Sequence, residues 1–496
     1  MSNLLYLNTE NTNSLPNSIL KSNVDRDKIK TGIAHIGLSN FHRAHQAYYM
    51  HELIEQHQEL NFGICGIDLL ESDRKIYNIL KDQDGLYTLI TKKANGTIDY
   101  KIISSIIEYF YGPENPLAAI ERLARPDIKI ISLTIAEDGY HLNETTGEFN
   151  LTHPQVKEDS LSKFNPKTVF GYLTQVFNLR KERGLPGCTV LSCDNIQANG
   201  DTVKKSFFNY VEKTTPSLLP WLQENTSFPN SMVDRITTFT STKDIELFKE
   251  TYNIYDQWPV VSEPFSKWII EDNFISGKPD WEKVGIQFVK DIKPFENAKL
   301  RILNAGHSIL GILGTLNGYK YVHEVANDED FIFFLENYIK TEVTPSLQNT
   351  EQQNLKAYKK EVIDRFKNPH INDSLSRICK ESSSKIPIFV FPTLLKQLSN
   401  QEPIAYATFV MAAWCKYYDG VDDFGKTFDI TDNLSNQLIR TAALSQQNPQ
   451  LFLENNSLFK DLVHQDLFKE RFEYYLSKLR TLSIKECLVL MNTEKL

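Results

Sequence analysis

The first half of the chain alternates short β-rich runs with amphipathic segments, and this alternation limits the folds that the chain can adopt. Runs rich in Ile, Val and Thr predict strands, and the segments between them have the apolar spacing of helices. Strands that alternate with helices form an α/β fold, a mostly parallel sheet with helices on both faces. Ligands of such sheets bind beyond the carboxyl ends of the strands. The predicted strands span 31–38, 61–67, 86–93, 100–106, 128–135 and 188–194, and the predicted helices span 41–57, 71–83, 116–124 and 167–184.

The second half has a different pattern. From about Phe295 onward the apolar spacing is almost entirely helical, with one short β-like stretch at 421–432. A chain of 496 residues exceeds one typical hydrophobic core, which predicts two domains. We therefore expect a sheet domain over 1–290 and an all-helical domain over 291–496.

Composition and charge exclude several classes of partner. The formal charge of −9 and the lack of a long basic run argue against a nucleic-acid surface. No apolar stretch approaches the roughly 20 residues that cross a bilayer, and the N-terminus lacks the pattern of a secretory signal. The six cysteines are scattered in apolar surroundings, which predicts reduced thiols and a cytoplasmic location. We expect a small-molecule substrate, no membrane partner and a monomer.

Metal binding is not predicted. His42 and His45 are three residues apart, but no second pair of histidines or cysteines at zinc spacing accompanies them. Cys188 and Cys193 have no such second pair either.

The segment after the first predicted strand has part of a dinucleotide-binding pattern. In Gly37-Leu38-Ser39-Asn40-Phe41-His42 only the first glycine of G-x-G-x-x-G is present, and Ser39 and His42 occupy the other two places. A glycine at this point permits a tight turn, and the amides that open the next helix can hold a pyrophosphate. We therefore predict a cofactor loop that includes Gly37, Ser39 and Phe41.

Other polar residues follow the neighbouring strands. An acid after the second strand is expected to bond the ribose hydroxyls of NAD and to repel the extra phosphate of NADP. Asp68 ends that strand and Asp73 follows five residues later, so both are candidates. Thr134 and Glu137 come after a third strand, and Asn195 comes after the next. Because parallel strands end at one edge of a sheet, we expect these positions to converge with Gly37.

The stretch 296–307 (ENAKLRILNAGH) carries the candidate chemistry of the second half. Read as a regular helix at about 100° per residue, it places four polar residues within an arc of roughly 140°: Glu296, Lys299, Asn304 and His307. Leu303 and Leu310 lie on the Lys299 side, so we expect this lysine to be buried. Loss of hydration favours a neutral amine, which accepts a proton from an alcohol. The stretch predicts an alcohol or ketone oxidoreductase without a metal.

These residues lie in longer segments that resemble the long-chain polyol dehydrogenase family, which includes mannitol 2-dehydrogenases and fructuronate and tagaturonate reductases. The resemblance runs nearly end to end. It implies a Rossmann-like N-terminal domain that binds NAD(P), a helical C-terminal domain, a substrate cleft between them and zinc-independent hydride transfer. The segments that carry it include IAHIGLSNFHRAHQAYY (33–49), QDGLYTL (83–89), SLTIAEDGY (132–140), SCDN (192–195), FPNSMVDRIT (228–237), EPFSKW (263–268), KLRILNAGHSIL (299–310) and SSSKIPIF (382–389).

By position, the resemblance implies roles for individual residues. Lys299, in the pattern K-x₄-N-x₂-H, resembles the general base. Asn195 and Asn304 resemble the pair that binds the reacting oxygen, and His307 resembles a residue that positions the substrate. Glu296 resembles the group that exchanges protons between Lys299 and solvent. The residues implied to hold substrate hydroxyls are Asp234, Arg377 and Lys385.

The reaction implied by the resemblance is the reversible oxidation of D-mannitol to D-fructose with NAD. Asp73 matches the acid associated with NAD preference, whereas Ser39 stands where family members often have a second glycine. One alternative is a fructuronate or tagaturonate reductase, in which Arg377 or Lys385 would bind the substrate carboxylate. A remoter alternative is a non-catalytic nucleotide-binding protein, which only the missing second glycine suggests.

Overall fold

The computed structural model describes residues 4–143, 148–161, 165–351 and 353–493. The chain divides into two compact units, Met1–Ile292 and Lys293–Leu496. Within the described residues all named strands belong to the first unit, and the second unit is helical. No helix in this part of the chain combines the length and the apolar character of a membrane span.

The first unit is built on a parallel sheet. Its strands are β1 (Leu5–Tyr6), β2 (Thr31–Ile36), β3 (Gly63–Asp68), β4 (Tyr87–Lys92), β5 (Ile98–Ile103), β6 (Ile106–Tyr111), β7 (Ile130–Leu133), β8 (Thr189–Ser192), β9 (Ser231–Asp234), β10 (Thr237–Thr238), β11 (Ile254–Tyr255), β12 (Val260–Ser262), β13 (Lys267–Glu271) and β14 (Gln287–Val289). Five of them form the main sheet in the order β6-β3-β2-β7-β8, and every neighbouring pair is parallel. The predicted α/β class is confirmed.

Alternate residues of these strands enter two different hydrophobic cores. Ile33 of β2 and Ile130 of β7 belong to one core, whereas Ala34 and Ile131, the next residues, belong to the other. Successive side chains of a strand point to opposite faces, so the sheet is covered on both sides. The helices of this unit are α1 (Asn40–Ala44), α2 (Gln46–His57), α3 (Arg74–Asp82), α4 (Pro116–Leu123), α5 (Pro154–Leu161), α6 (Val169–Glu182), α7 (Asn199–Thr214), α8 (Leu219–Asn225) and α9 (Thr242–Tyr252).

The strands predicted at 86–93 and 100–106 correspond mainly to β4 and β5, and neither of these belongs to the parallel sheet. β4 and β5 pair antiparallel and belong to a separate sheet with the order β10-β12-β4-β5. A turn at 93–97 connects them, with Gly96 at φ +84° and a hydrogen bond from Lys93 N to Thr97 O. So short a connection cannot make a parallel crossover, which needs a dozen or more residues. The predicted strand 100–106 is in fact divided, since β5 ends at Ile103 and β6 begins at Ile106.

The second unit is a helical assembly around one hydrophobic core. Two π-helical segments, Lys299–Asn304 and Ile339–Val343, interrupt its α-helices. The β-like stretch at 421–432 forms only an isolated bridge between Val421 and Thr427, so that strand prediction is wrong. The helices are α10 (Lys293–Ala298), α11 (Ala305–Leu316), α12 (Val322–Ala326), α13 (Glu329–Tyr338), α14 (Thr344–Ser346), α15 (Leu355–Phe366), α16 (Leu375–Cys379), α17 (Ser382–Phe389), α18 (Phe391–Asn400), α19 (Ala405–Tyr417), α20 (Ser435–Leu444), α21 (Asn456–Phe459), α22 (Asp466–Leu479) and α23 (Ile484–Asn492).

Candidate active site

The turn after β2 requires a glycine. Gly37 has φ +92°, a conformation that side chains with a Cβ rarely adopt. A Cβ at this position would lie 2.2 Å from the carbonyl oxygen of Thr134. Gly37 N donates to Ile67 O at 2.8 Å, so the turn also contacts the end of β3. Backbone therefore approaches backbone closely at the carboxyl edge of the sheet.

Hydroxyl groups hold the cofactor loop against the strand β7. The Thr134 hydroxyl donates to Gly37 O at 2.6 Å and lies 3.1 Å from Ser39 Oγ. Ser39 Oγ accepts from His42 N and so caps helix α1. The buried His35 ring has Nε2 2.8 Å from Gly37 O, and burial lowers its pKa to about 3, so it is neutral. Ser39 thus has a structural role in the place of the missing glycine.

The two candidate ribose acids occupy different environments. Asp68 is 2 % exposed, and its Oδ1 accepts from Leu38 N at 2.9 Å. Burial raises the pKa of Asp68 to about 7. Asp73 is half-buried at the start of α3, where it accepts from Leu70 N at 3.3 Å and from the Ser72 hydroxyl at 3.2 Å. Asp68 therefore braces the glycine loop, and Asp73 is the more accessible of the two.

Asp194, which was not among the predicted site residues, connects the loop after β7 to the end of β8. Its carboxylate accepts from Ile135 N and Ala136 N, both at 3.0 Å, and from the Tyr140 hydroxyl at 2.7 Å. These bonds tie the loop after β7 to the end of β8, so the positions of Thr134 and Glu137 depend on a side chain next to Asn195. Glu137 and Asn195 themselves are exposed. Of the residues predicted to converge with Gly37, the structure thus brings Thr134 and Asp68 into contact with the glycine turn.

Two further predicted residues of the first unit, Asp234 and Phe41, belong to elements other than the main sheet. Asp234 ends β9, outside the parallel sheet, and is buried with Lys267 as its cross-strand neighbour. Phe41 is half-buried on α1, where its ring stacks on His45 at 4.9 Å. Arg235, which follows Asp234 in the chain, is buried and donates to the carbonyls of Ala44 and Glu263.

In the second unit, the segment that carries Lys299 is not a regular α-helix. Lys299–Asn304 is π-helical, so the predicted spacing of about 100° per residue is wrong there. The i→i+5 bonding of a π-helix widens the turn, so that Asn304 follows Lys299 by about one turn. Lys299 and Glu296 are each 6 % exposed, and the predicted burial of the lysine is confirmed. The π-helical segment packs against α15 and α17.

His307 lies beside a carboxylate that sequence reasoning missed. Asp373 Oδ2 is 3.6 Å from His307 Nε2, and the His307 ring is 4.4 Å from that of Phe366. The same carboxylate accepts two bonds from Arg377, at 2.7 Å from Nε and 2.6 Å from an Nη. Asp373 could have been suspected from the i, i+4 spacing of an acid and an arginine. The structure thus brings His307 and Arg377 together through Asp373.

Lys385 belongs to the same neighbourhood. Its Nζ donates to Ile378 O at 3.1 Å, at the residue that follows Arg377. Asp432 holds the start of α17, which carries Lys385, by accepting from Ser383 N at 2.8 Å. In the part of the chain that the structure describes, no group of three or more His, Cys, Asp or Glu side chains could hold a metal ion.

The order of the parallel strands defines the class of the protein. Counted along the main sheet, the strands run third, second, first, fourth, fifth in chain order, which is the order of the Rossmann fold. The glycine turn follows the first of these strands, at the point where the order reverses. The first unit therefore has the architecture of a Rossmann-type dinucleotide-binding domain.

Comparison with known proteins identifies the family. Residues 31–283 match the model of the mannitol dehydrogenase Rossmann domain, and residues 291–480 match that of the mannitol dehydrogenase C-terminal domain. The chain is 41 % identical to a mannitol 2-dehydrogenase of Neosartorya fischeri over 90 % of this chain and 89 % of the relative. The chain belongs to the mannitol dehydrogenase family and is an oxidoreductase, as the sequence predicted.

Two solved structures resemble the whole chain. The mannitol 2-dehydrogenase of Pseudomonas fluorescens, solved as a ternary complex with NAD and D-mannitol, has a TM-score of 0.89 and 36 % identity. The match covers 98 % of this chain and 99 % of the Pseudomonas fluorescens chain. A D-sorbitol dehydrogenase in substrate-free form has a TM-score of 0.89 and 32 % identity, with 97 % of this chain and 99 % of that chain covered.

Proposed function

We propose that the protein catalyses the reversible, metal-independent oxidation of D-mannitol to D-fructose with NAD. The observation that carries this proposal is a lysine, Lys299, that is 6 % exposed on a π-helical turn with Asn304 about one turn away. A desolvated amine beside an amide donor is suited to accept a proton from an alcohol. The polyol substrate is supported by relatives named for mannitol and by neighbours named for mannitol and sorbitol.

The cofactor is NAD, as the Rossmann family match and the neighbour solved with NAD indicate. The residues of this chain fit such a group. Gly37 lacks a Cβ where one would collide with the Thr134 carbonyl, and the turn leaves backbone at the carboxyl edge of the sheet. Asp73 supplies an accessible acid after β3. When bound, NAD⁺ accepts the hydride that leaves the alcohol carbon.

The side chains have separate tasks in this proposal. Lys299 takes the proton of the C2 hydroxyl, and the Asn304 amide donates a hydrogen bond to the oxygen as it becomes negative. One such donor is worth about 3 kcal/mol in the transition state. Glu296, buried three residues before Lys299, passes the proton onward. Two further roles stay proposals. Asn195 donates to the same oxygen, and His307 orients the substrate.

The substrate is tested by a panel of D-mannitol, D-sorbitol, D-arabinitol, D-mannonate and altronate, each with NAD⁺ and with NADP⁺. We expect D-mannitol with NAD⁺ to have the highest kcat/KM, by about tenfold or more over the two acids, because a carboxylate changes the charge that the site must accept. Nicotinamide absorbance measures each rate. A higher kcat/KM for mannonate or altronate would show a uronate reductase instead.

Asp73 is expected to set the preference for NAD over NADP. Asp73→Ala should lower the ratio of kcat/KM for NAD⁺ to that for NADP⁺ by about tenfold or more, because the repulsion of the extra phosphate is lost. Asp68→Asn is the matched comparison, since Asp68 is buried against Leu38 N. It should leave the ratio unchanged. If only Asp68→Asn shifts the ratio, the ribose contact belongs to Asp68.

Four further predictions remain proposals. We place the cofactor-binding domain in 1–290 and the substrate domain in 291–496, and Asp234, Arg377 and Lys385 among the groups that hold substrate hydroxyls. A cytoplasmic location is supported by the six free cysteines, all of them buried. The monomeric state stays a prediction.

A further inference from the structure

Asp373 is a buried carboxylate of the second unit that lies beside both Arg377 and His307. It is buried, with a side chain 6 % exposed, whereas the side chain of its partner Arg377 is 51 % exposed. Both carboxylate oxygens accept from the guanidinium, at 2.7 and 2.6 Å. A bidentate pair of this kind fixes the plane of the guanidinium and neutralises it. Arg377 therefore presents its remaining N–H groups from a pair without net formal charge.

The backbone around Asp373 holds this carboxylate in place. Asp373 O accepts from Val322 N at 2.9 Å, and Leu375 N donates to Lys320 O at 2.9 Å. Helix α16, which begins directly after Ser374, packs closely on α11 because Gly311 has no side chain. A Cβ there would lie 2.9 Å from the Ile378 side chain and 3.0 Å from Cys379 Sγ. The close packing holds α16 against α11, the helix that carries His307, and His307 Nε2 lies 3.6 Å from Asp373 Oδ2.

The ion pair of Asp373 and Arg377 affects how this arginine can bind a further group. Arg377 carries one positive formal charge and Asp373 carries one negative charge, so the pair has no net formal charge. Arg377 already donates to Asp373 through Nε and one Nη. It is therefore a poor receptor for a second carboxylate, because the charge of Asp373 would repel that carboxylate. Hydroxyl groups meet no such repulsion, and they accept hydrogen bonds from the free N–H groups of the same guanidinium.

We propose that Asp373 is a specificity-determining residue that disfavours substrates with a carboxylate on the terminal carbon far from the reacting one. The inference rests on the proposed oxidation of a hexitol. D-Mannitol has a twofold axis, so its C2 and C5 hydroxyls are equivalent. D-Mannonate differs from it only in having a carboxylate in place of one terminal CH₂OH, and its C5 hydroxyl is the one that corresponds to the reacting hydroxyl. The two compounds therefore differ by a single charged group at the far end.

The test compares kcat/KM for D-mannonate and D-mannitol in four variants. Asp373→Asn keeps the shape of the side chain and removes its charge, and we expect it to raise the mannonate-to-mannitol ratio by about tenfold or more. Asp373→Glu keeps the charge and should leave the ratio within about threefold of the wild type. Arg377→Ala removes the cation instead and should lower the ratio. Asp364→Asn, in the exposed pair with Lys360, is the control and should change nothing.

The outcomes separate this proposal from the proposed function. If the wild-type protein oxidises neither compound, the proposed function fails. If it oxidises D-mannitol but Asp373→Asn leaves the ratio unchanged, or lowers both values equally, Asp373 does not select the substrate. NADH affinity by fluorescence titration should stay at the wild-type value in all variants, and Arg377→Ala, at an exposed position, keeps the test open if Asp373→Asn does not fold.

Discussion

Replacing Lys299 with alanine is expected to lower kcat for mannitol oxidation by about 10²–10⁴-fold, the range that a general base contributes. Lys299 is 6 % exposed, so a water molecule that took the place of its amine would lose free energy of hydration. The loss should fall on kcat and on kcat/KM together, because the proton is transferred only in the transition state. Steady-state rates from nicotinamide absorbance measure both constants.

Two comparisons make the Lys299 experiment specific. Lys356→Ala removes an exposed lysine of α15 in the same unit and should leave kcat unchanged. NADH affinity, measured by fluorescence titration, should stay within about threefold of the wild type in Lys299→Ala. A primary amine such as methylamine, added to Lys299→Ala, should restore part of the rate in proportion to its free-base concentration. Wild-type turnover in Lys299→Ala would remove the base assignment.

Much of the first unit could be predicted from sequence because its strands are buried on both faces. Strands such as Ile130–Leu133 (IISL) are mostly apolar and are buried at every residue, and their carboxyl ends must meet at one edge once the sheet is parallel. The exception was the hairpin of β4 and β5. Their composition is that of any strand, and only the short turn at 93–97 distinguishes antiparallel pairing from a crossover.

The candidate site was likewise predicted only in part. The burial of Lys299 followed from its apolar neighbours, but the π-helical turn did not, because i→i+4 and i→i+5 bonding have nearly the same sequence requirements. The roles of Asp194 and Asp373 were not predicted for a different reason. Asp194 accepts from Ile135 N and Asp373 lies beside His307, and contacts between such distant segments leave no local pattern. Only the i, i+4 spacing of Asp373 and Arg377 was visible in the sequence.

The second large effect is expected at the glycine turn, where Gly37→Ala should disrupt the cofactor loop. A left-handed φ costs a residue with a Cβ roughly 1–2 kcal/mol. The added Cβ would also lie 2.2 Å from Thr134 O, and backbone must move to relieve that overlap, at a further cost of about 1–3 kcal/mol. The movement displaces Leu38 N from Asp68 and Ser39 from Thr134. We expect the Kd for NADH to rise by about tenfold or more, together with a lower Tm.

Gly277→Ala separates the two contributions to this effect. Gly277 is exposed with φ +87°, and among the described residues no atom beyond its own chain neighbours lies within 4 Å of the position its Cβ would take. This variant therefore bears the cost of the left-handed backbone alone, and its Tm should fall by less than that of Gly37→Ala while its Kd for NADH stays at the wild-type value. Thermal melts and fluorescence titration of both variants measure the difference. Equal NADH affinity in the two variants would mean that close contact between Gly37 and Thr134 is not needed for the cofactor loop to bind its ligand.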